Sequence, residues 1–144
     1  MNRLNPWESY RNVATQTASR GQLVLMLYDG AIRKLEQALE GFDLDDPAES
    51  ISRINNNLQR AQDIIRELNY SLDVARGGEL AAQLRRLYNY FDRVLDRSNR
   101  AKESDGIHEV IGRLNMLRGA WAEMLQNQEG PPVADADGAL LATA

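Results

Sequence analysis

The feature that most constrains this chain is the spacing of its apolar residues. They recur at steps of three and four in four successive stretches, the period of one helix face and not the alternation of a strand. Leu23 and Val24 lead into Tyr28, Ala31, Leu35, Ala38 and Phe42, and Ser19 with Gln22 forms a capping box before them. Gly41 and the acids Asp43, Asp45 and Asp46 close this first helix. Asp46 as cap, Pro47 at the first helical position and Glu49 completing a box open the second. Its inner face reads Ile51, Ile54, Leu58, Ala61, Ile65, Leu68 and Leu72. A turn from Asp73 to Gly78 ends in a glycine pair, and the third helix starts at Glu79 with Leu80, Leu84, Leu87, Phe91, Val94, Ser98 and Ala101 inward. Lys102 to Gly106 is the next turn, with Ser104 or Asp105 as cap. The fourth helix then presents Ile107, Val110, Leu114, Leu117, Trp121 and Met124. Connections of about five or six residues make neighbours antiparallel, so the predicted fold is all-α, an up-down-up-down four-helix bundle.

The two ends behave differently. Leu4, Trp7, Tyr10 and Val13 recur every third residue, a short amphipathic element that is too short to hold alone and is predicted to cap something. The last residues contain Gly130, Pro131 and Pro132 with three acids and no apolar period before Leu140, which predicts a disordered acidic tail. The domain expectation is a cap segment over 1–18, a bundle over 19–128 and a tail over 129–144. The whole chain carries 17 basic and 21 acidic residues; with the tail's Glu129, Asp135 and Asp137 set aside, the body is nearly neutral at 17 against 18.

Several classes of function fall away. The 144-residue length suits one domain, and the absence of cysteine excludes a disulfide scaffold or a thiolate metal cage. The longest apolar run, Leu23 to Tyr28, is far below the ~20 residues of a membrane span. The polar N-terminus has no signal-peptide character, so the expectation is a cytoplasmic protein without membrane insertion. A lone histidine, His108, cannot supply a Ser–His or Cys–His pair. Nor can it supply the paired Glu-x-x-His of a di-iron bundle. No catalytic, cofactor-binding or metal-binding residue is therefore named, and no enzyme activity or cofactor is expected. Arg86, Arg93, Arg97 and Arg100 share one face of the third helix, but Asp92, Asp96 and Glu103 border them in an acidic chain. That reads as a solvated, ion-paired face and not a nucleic-acid site.

What exceeds a simple bundle is apolar surface. Leu25, Ile32 and Leu39 stand beside the seam of the first helix, Ala81, Tyr88 and Leu95 beside that of the third, and Ile64 beside that of the second. Helices that touch two neighbours account for some of these; together they predict grooves fit for another amphipathic helix. A groove of about 400 Å² represents about 10 kcal/mol of gross driving force. The segment holding Trp7, Tyr10 and Val13 is its natural removable cover. Gly30, Gly112 and Gly119 lie inside helices, where each costs about 0.8–1.0 kcal/mol against alanine. Gly112 and Gly119 share the face opposite the fourth helix's seam with Met116.

Ordered sequence blocks then resemble a known family. Asn5-Pro6-Trp7-x-x-Tyr10 leads to Thr17-Ala18-Ser19 and to Gly21-x-Leu23-x-Leu25-Met26-Leu27-Tyr28-Asp29-Gly30-Ala31. Ala61-Gln62-Asp63-Ile64-Ile65-x-Glu67-Leu68, Gly77-Gly78-Glu79-Leu80-Ala81, Leu87-Tyr88-x-Tyr90, Glu109-Val110-x-Gly112 and Leu117-Arg118-x-Ala120-Trp121 follow in order. From about Asn5 to Gln126 the chain resembles the flagellar secretion (export) chaperone FliS family. It departs at Arg20, where the family commonly has proline, and at Trp7, where a smaller residue is common. The resemblance implies a cytosolic chaperone that binds the C-terminal segment of flagellin, prevents premature polymerisation and presents the subunit to the flagellar export gate. It also implies that the segment with Tyr10 covers part of the binding surface in the free protein. With the motif and periodicity matches, the groove candidates are Leu25, Tyr28, Asp29, Ile32, Leu39, Ile64, Leu68, Ala81, Leu84, Tyr88 and Leu95. The protein is expected as a monomer or weak homodimer, and the rival reading is a homodimeric structural bundle without a foreign substrate.

Overall fold

The first helix starts where its capping box says. The Ser19 hydroxyl accepts from the Gln22 backbone N–H at 3.2 Å and the Gln22 side chain accepts from the Ser19 N–H at 3.1 Å. The computed structural model describes residues 19–127, so the expected cap segment over 1–18 and the tail over 129–144 lie outside the described residues. Within them run α1 (Arg20–Gly41), α2 (Pro47–Tyr70), α3 (Val74–Ala101) and α4 (Asp105–Asn127).

At α2 the Asp46 carboxylate accepts from the Ala48 N–H at 3.4 Å and Pro47 takes the first position. The box expected with Glu49 is replaced by a different tie: the Ser50 hydroxyl donates to the Gly41 carbonyl at 2.8 Å, joining the start of α2 to the end of α1. The turn expected over 73–78 is itself helical at first, with the Gly77 N–H donating to the Asp73 carbonyl at 2.7 Å. It breaks at Gly78, where φ of +59° and ψ of −135° suit glycine alone, and the long run of α3 resumes at Glu79. Lys102 ends α3 at φ +52°, and its ammonium donates to the Asn99 carbonyl at 2.6 Å, satisfying a carbonyl the helix leaves open. The links over 71–73 and 102–104 are shorter than the five or six residues expected.

Cross-helix contacts fix the directions. Late α1 meets early α2 at Gly41 and Ile54. Asn55 of early α2 bonds Asn99 of late α3, and Asn69 of late α2 bonds Asn89, ten residues earlier along α3. The Trp121 indole of late α4 donates to the Gly21 carbonyl of early α1 at 2.8 Å. Each helix runs antiparallel to its neighbour and α4 returns to α1, an up-down-up-down ring. One end of the bundle, here called proximal, gathers the starts of α1 and α3 and the finishes of α2 and α4.

The core is one cluster in which Leu35, Leu58, Phe91, Leu95, Ile107 and Leu114 are sealed. Three expected inward positions face out. Ile51 is 54% exposed because the first turn of α2 projects past the end of α1, where Gly41 already lies level with Ile54. Leu80 is 49% exposed and Ala101 is exposed because α3 is rotated from the expected seam, with Ala81, Tyr88, Phe91, Leu95 and Ser98 inward. Among the described residues no helix is long and apolar enough to cross a membrane, and no acidic or histidine cluster is arranged to hold a metal.

Candidate functional site

Two tyrosines among the groove candidates meet at the centre of the bundle. Tyr28 of α1 and Tyr88 of α3, on helices diagonal to each other, are 1% and 2% exposed and share a 2.5 Å hydrogen bond between their hydroxyls. A buried phenol needs a polar partner, and each supplies the other's. Burial raises the pKa of both groups, that of Tyr88 well above its ordinary value, so the pair is neutral. It ties two diagonal helices whose backbones do not approach each other closely, and an opening of the bundle along this diagonal would break it.

The remaining candidates divide by exposure. Ile32, Ile64, Leu68, Ala81 and Leu95 are buried core residues beside Tyr28 and Tyr88. The apolar stripes read as surplus surface are thus mostly internal. The physical reason is the ring: each helix must face two neighbours and the diagonal, so it needs an apolar arc wider than one seam. On α1, Leu25 and Ile32 share the side of Asp29, whose carboxylate accepts from the Arg118 guanidinium of α4 at 2.6 Å. That bond raises the Arg118 pKa, with attraction between the two charges adding to it. Leu25, Leu39 and Leu84 are the candidates that remain partly exposed apolar side chains.

Part-covered apolar side chains do survive at the proximal halves of α3 and α4. Leu84 and Leu87 on α3 and Leu117, Met124 and Leu125 on α4 pack against the core and are only partly covered, and the exposed Leu80 precedes Leu84 by one turn. Sequence reading named Leu84 but assigned Leu80, Leu87, Leu117 and Met124 wholly to the core, and it gave Leu125 no role. Their position at the two edges of the seam was the available signal. Ser19, from which the N-terminal segment departs, stands at this same end.

The other seams are closed with polar groups. Along α2 and α3 the rungs are Asn55 with Asn99 at 2.9 Å, the Gln62 amide donating to Asp92 at 3.1 Å, Arg66 with Asp92 at 3.2 Å, and Asn69 with Asn89 at 3.0 Å. Tyr90 donates to Glu109 at 2.8 Å between α3 and α4, and that bond is the main reason its pKa is raised. On the arginine face, Arg86 pairs with Glu79 at 3.1 Å and Arg100 with Asp96 at 3.0 Å, all well exposed. Among the described residues nothing here assembles a nucleophile, a base and an orienting group.

Known proteins with similar sequences have a common description. The family described as "Flagellar protein FliS" matches residues 3–128. The flagellar secretion chaperone FliS of Bacillus subtilis is 35% identical over 124 residues, covering 86% of this chain and 89% of that protein. The protein of the same name from Salmonella typhimurium is 34% identical over 114 residues, 77% of this chain and 80% of its own length. That from Campylobacter jejuni is 29% identical over 122 residues, 85% and 92% of the two chains.

Proposed function

The chain belongs to the FliS family of flagellar proteins, and from that premise we propose that it is a non-enzymatic export chaperone which captures the C-terminal segment of flagellin. The observation that carries the reading is the cluster of part-covered leucines and methionine at proximal α3 and α4, beside an α2–α3 seam closed by polar rungs. A partner that is disordered alone and folds on binding spends about 2–5 kcal/mol or more on its own ordering, so it requires apolar area to dock on. Leu84, Leu87, Leu117 and Met124 supply that area without unfolding the chaperone. The buried candidates Tyr28, Ile64, Leu68, Tyr88 and Leu95 contribute by shaping the floor beneath them.

In this proposal the segment with Trp7, Tyr10 and Val13 covers the margin until substrate arrives, since it enters the bundle at the same end. The bound flagellin is kept from polymerising and is handed to export gate components in the cytoplasm. The nearly neutral body suits capture by apolar contact over electrostatic attraction. The homodimer rival needs the surplus stripes as an interface, and their burial leaves it little surface to use.

Titration calorimetry of the full chain with a flagellin C-terminal peptide tests the reading. Saturable binding with a negative heat-capacity change is expected. Leu84→Asp or Leu117→Asp should weaken it at least about tenfold with helix content unchanged. No binding at high micromolar peptide would overturn the substrate assignment, and unaltered affinity in both variants would overturn the site.

A further inference from the structure

Polar side chains on the α2–α3 seam repeat with the period of two helical turns. Asn55, Gln62 and Asn69 stand seven residues apart on α2, and Arg85, Asp92 and Asn99 seven apart on the antiparallel α3. Two of the three rungs are complete. Asn99 donates to Asn55 at 2.9 Å, and Gln62, only 6% exposed, donates its amide to the Asp92 carboxylate at 3.1 Å and to the Asp92 main-chain carbonyl at 3.3 Å. The third rung is unfinished. Arg85 reaches only the Asn69 main-chain carbonyl, at 3.4 Å, and has no carboxylate partner among the described residues. Asn69 spends its amide NH2 on Asn89 at 3.0 Å, while its Oδ1 is buried and accepts from nothing. A buried acceptor without a donor is destabilising, so its retention calls for a reason.

Asn69 lines a cleft of about 220 Å³ between the two helices. One water takes about 30 Å³ of liquid, so the cleft has room for a side chain. Ile65 and Tyr88, 1% and 2% exposed, form its apolar floor, and Tyr70, 82% exposed, stands at its rim. Its uncommitted donors are the Arg85 guanidinium and the Asn89 amide. The Asp92 carboxylate in the lining is already engaged by Gln62 and Arg66. These groups select by chemistry. An ammonium would satisfy the Asn69 oxygen but meets Arg66 and Arg85, with no free carboxylate among the lining residues to hold it. A carboxylate would pair with Arg85 but sets its own oxygen against that of Asn69. A carboxamide presents a donor and an acceptor side by side, as Gln62 does one rung away. It also matches the site whichever way the Asn69 amide is turned.

We propose that this unfinished rung is a pocket for a carboxamide side chain, a glutamine or asparagine carried by a polypeptide laid along the α2–α3 seam. Its NH2 donates to Asn69 Oδ1, its carbonyl accepts from Arg85, and its methylenes rest on Ile65 and Tyr88. The occupant belongs to a polypeptide and is not a free amino acid, because the cleft offers no free carboxylate for an α-ammonium. A residue within a chain has no such charge to place. The cleft and the part-covered leucines lie on different sides of α3, toward α2 and toward α4, so the inference stands independently of the flagellin proposal.

Amide NMR of the isotope-labelled full chain tests this, with acetyl-glutamine methylamide as the probe. The side-chain NH2 signals of Asn69 and Asn89 should shift saturably, with a dissociation constant of about 1–10 mM for so small a ligand. Followed at Asn89, Asn69→Leu should weaken binding at least about tenfold, with the helical spectrum retained. Arg85→Ala, at an exposed position, should weaken it at least about threefold. Acetyl-methionine methylamide, of similar size, and acetyl-glutamate methylamide should each bind at least about tenfold more weakly than the glutamine probe. No shift at either asparagine up to about 100 mM probe would overturn the proposal and leave the cleft to water. So would equal binding of the methionine probe or of acetyl-alanine methylamide, or an affinity unchanged in both variants. Tighter binding of free glutamine than of the capped probe would make the ligand a metabolite, and counts against a docked polypeptide.

Discussion

The α1–α2 pair and the α3–α4 pair are both antiparallel hairpins of helices, yet they are sealed to different depths. Between α1 and α2 the chain supplies caps at both helix starts, the Ser50 to Gly41 bond, an Arg53–Glu40 ion pair at 2.7 Å, and an approach so close that a Cβ on Gly41 would sit 2.8 Å from Ile54. The α3–α4 pair has an equally tight point only near its turn, where a Cβ on Gly106 would sit 2.5 Å from the Ser98 hydroxyl and 2.7 Å from Val94. Farther along, toward the proximal end, Leu84, Leu87, Leu117, Met124 and Leu125 are left part-covered. The first hairpin leaves Leu39 and Phe42 part-covered and Ile51 exposed around a heavily tied turn, while the second keeps its part-covered leucines at the end away from its turn. In a bundle with one continuous core, that division concentrates the local ties in the first pair, and the proposed function places binding at the edge of the second.

The largest expected break in this comparison is Leu58→Ala. Leu58 is fully buried on α2, and its truncation should cost about 2–5 kcal/mol in urea unfolding. Leu84→Ala at the margin should cost clearly less in the same assay, and equal costs would erase the distinction. Next, Gly41→Ala should destabilise by about 1–3 kcal/mol, because the new methyl meets Ile54 side chain and backbone. Tyr28→Phe leaves the Tyr88 hydroxyl buried without its partner and should cost about 1–3 kcal/mol, with the double change to phenylalanine less damaging than the two singles summed.

The same pair sets a pH dependence. Because burial lifts both phenols above their ordinary 10.0, folding stability should be unaffected below that pH. It should fall as pH rises through it toward the folded-state values, since the unfolded phenols ionise first. The Phe–Phe variant should show a shallower fall in alkaline unfolding titrations. Gly112→Ala should act in the opposite direction, raising stability by up to about 0.8–1.0 kcal/mol, as its Cβ would point into open space. The smallest effect belongs to Arg118→Ala. Its pair with Asp29 is about two-fifths exposed on each side and should contribute about 0.2–1 kcal/mol.

Much of the architecture was legible before any coordinates. The Ser19–Gln22 box, the Asp46 cap with Pro47, and the seams of α1 and α4 could be read because local spacing and capping act within a few residues. The rotation of α3 was not legible: Leu80 and Ala81 are adjacent and both apolar, and only the position of α2 and α4 selects Ala81 for the inside. The candidate site was read less well for a related reason. Tyr28, Ile32, Ile64, Leu68, Ala81, Tyr88 and Leu95 are apolar beside a seam, and periodicity cannot say whether the neighbour on that side is this chain or another. The polar rungs between α2 and α3 gave no signal at all, since asparagine at a helix surface looks the same paired or solvated.

By itself, then, the sequence determined four amphipathic helices, their caps, the breaks between them and, through its ordered blocks, the FliS family. These are properties of residues close along the chain and of motifs taken in order. Only the tertiary structure decided which apolar stripes close on each other and which keep an open edge. It brought Tyr28 and Tyr88 together across the diagonal, buried most of the apparent surplus, and left the proximal margin of α3 and α4 only partly covered. Burial depends on how each helix is rotated against all of its neighbours at once, and no single stretch of sequence carries that information.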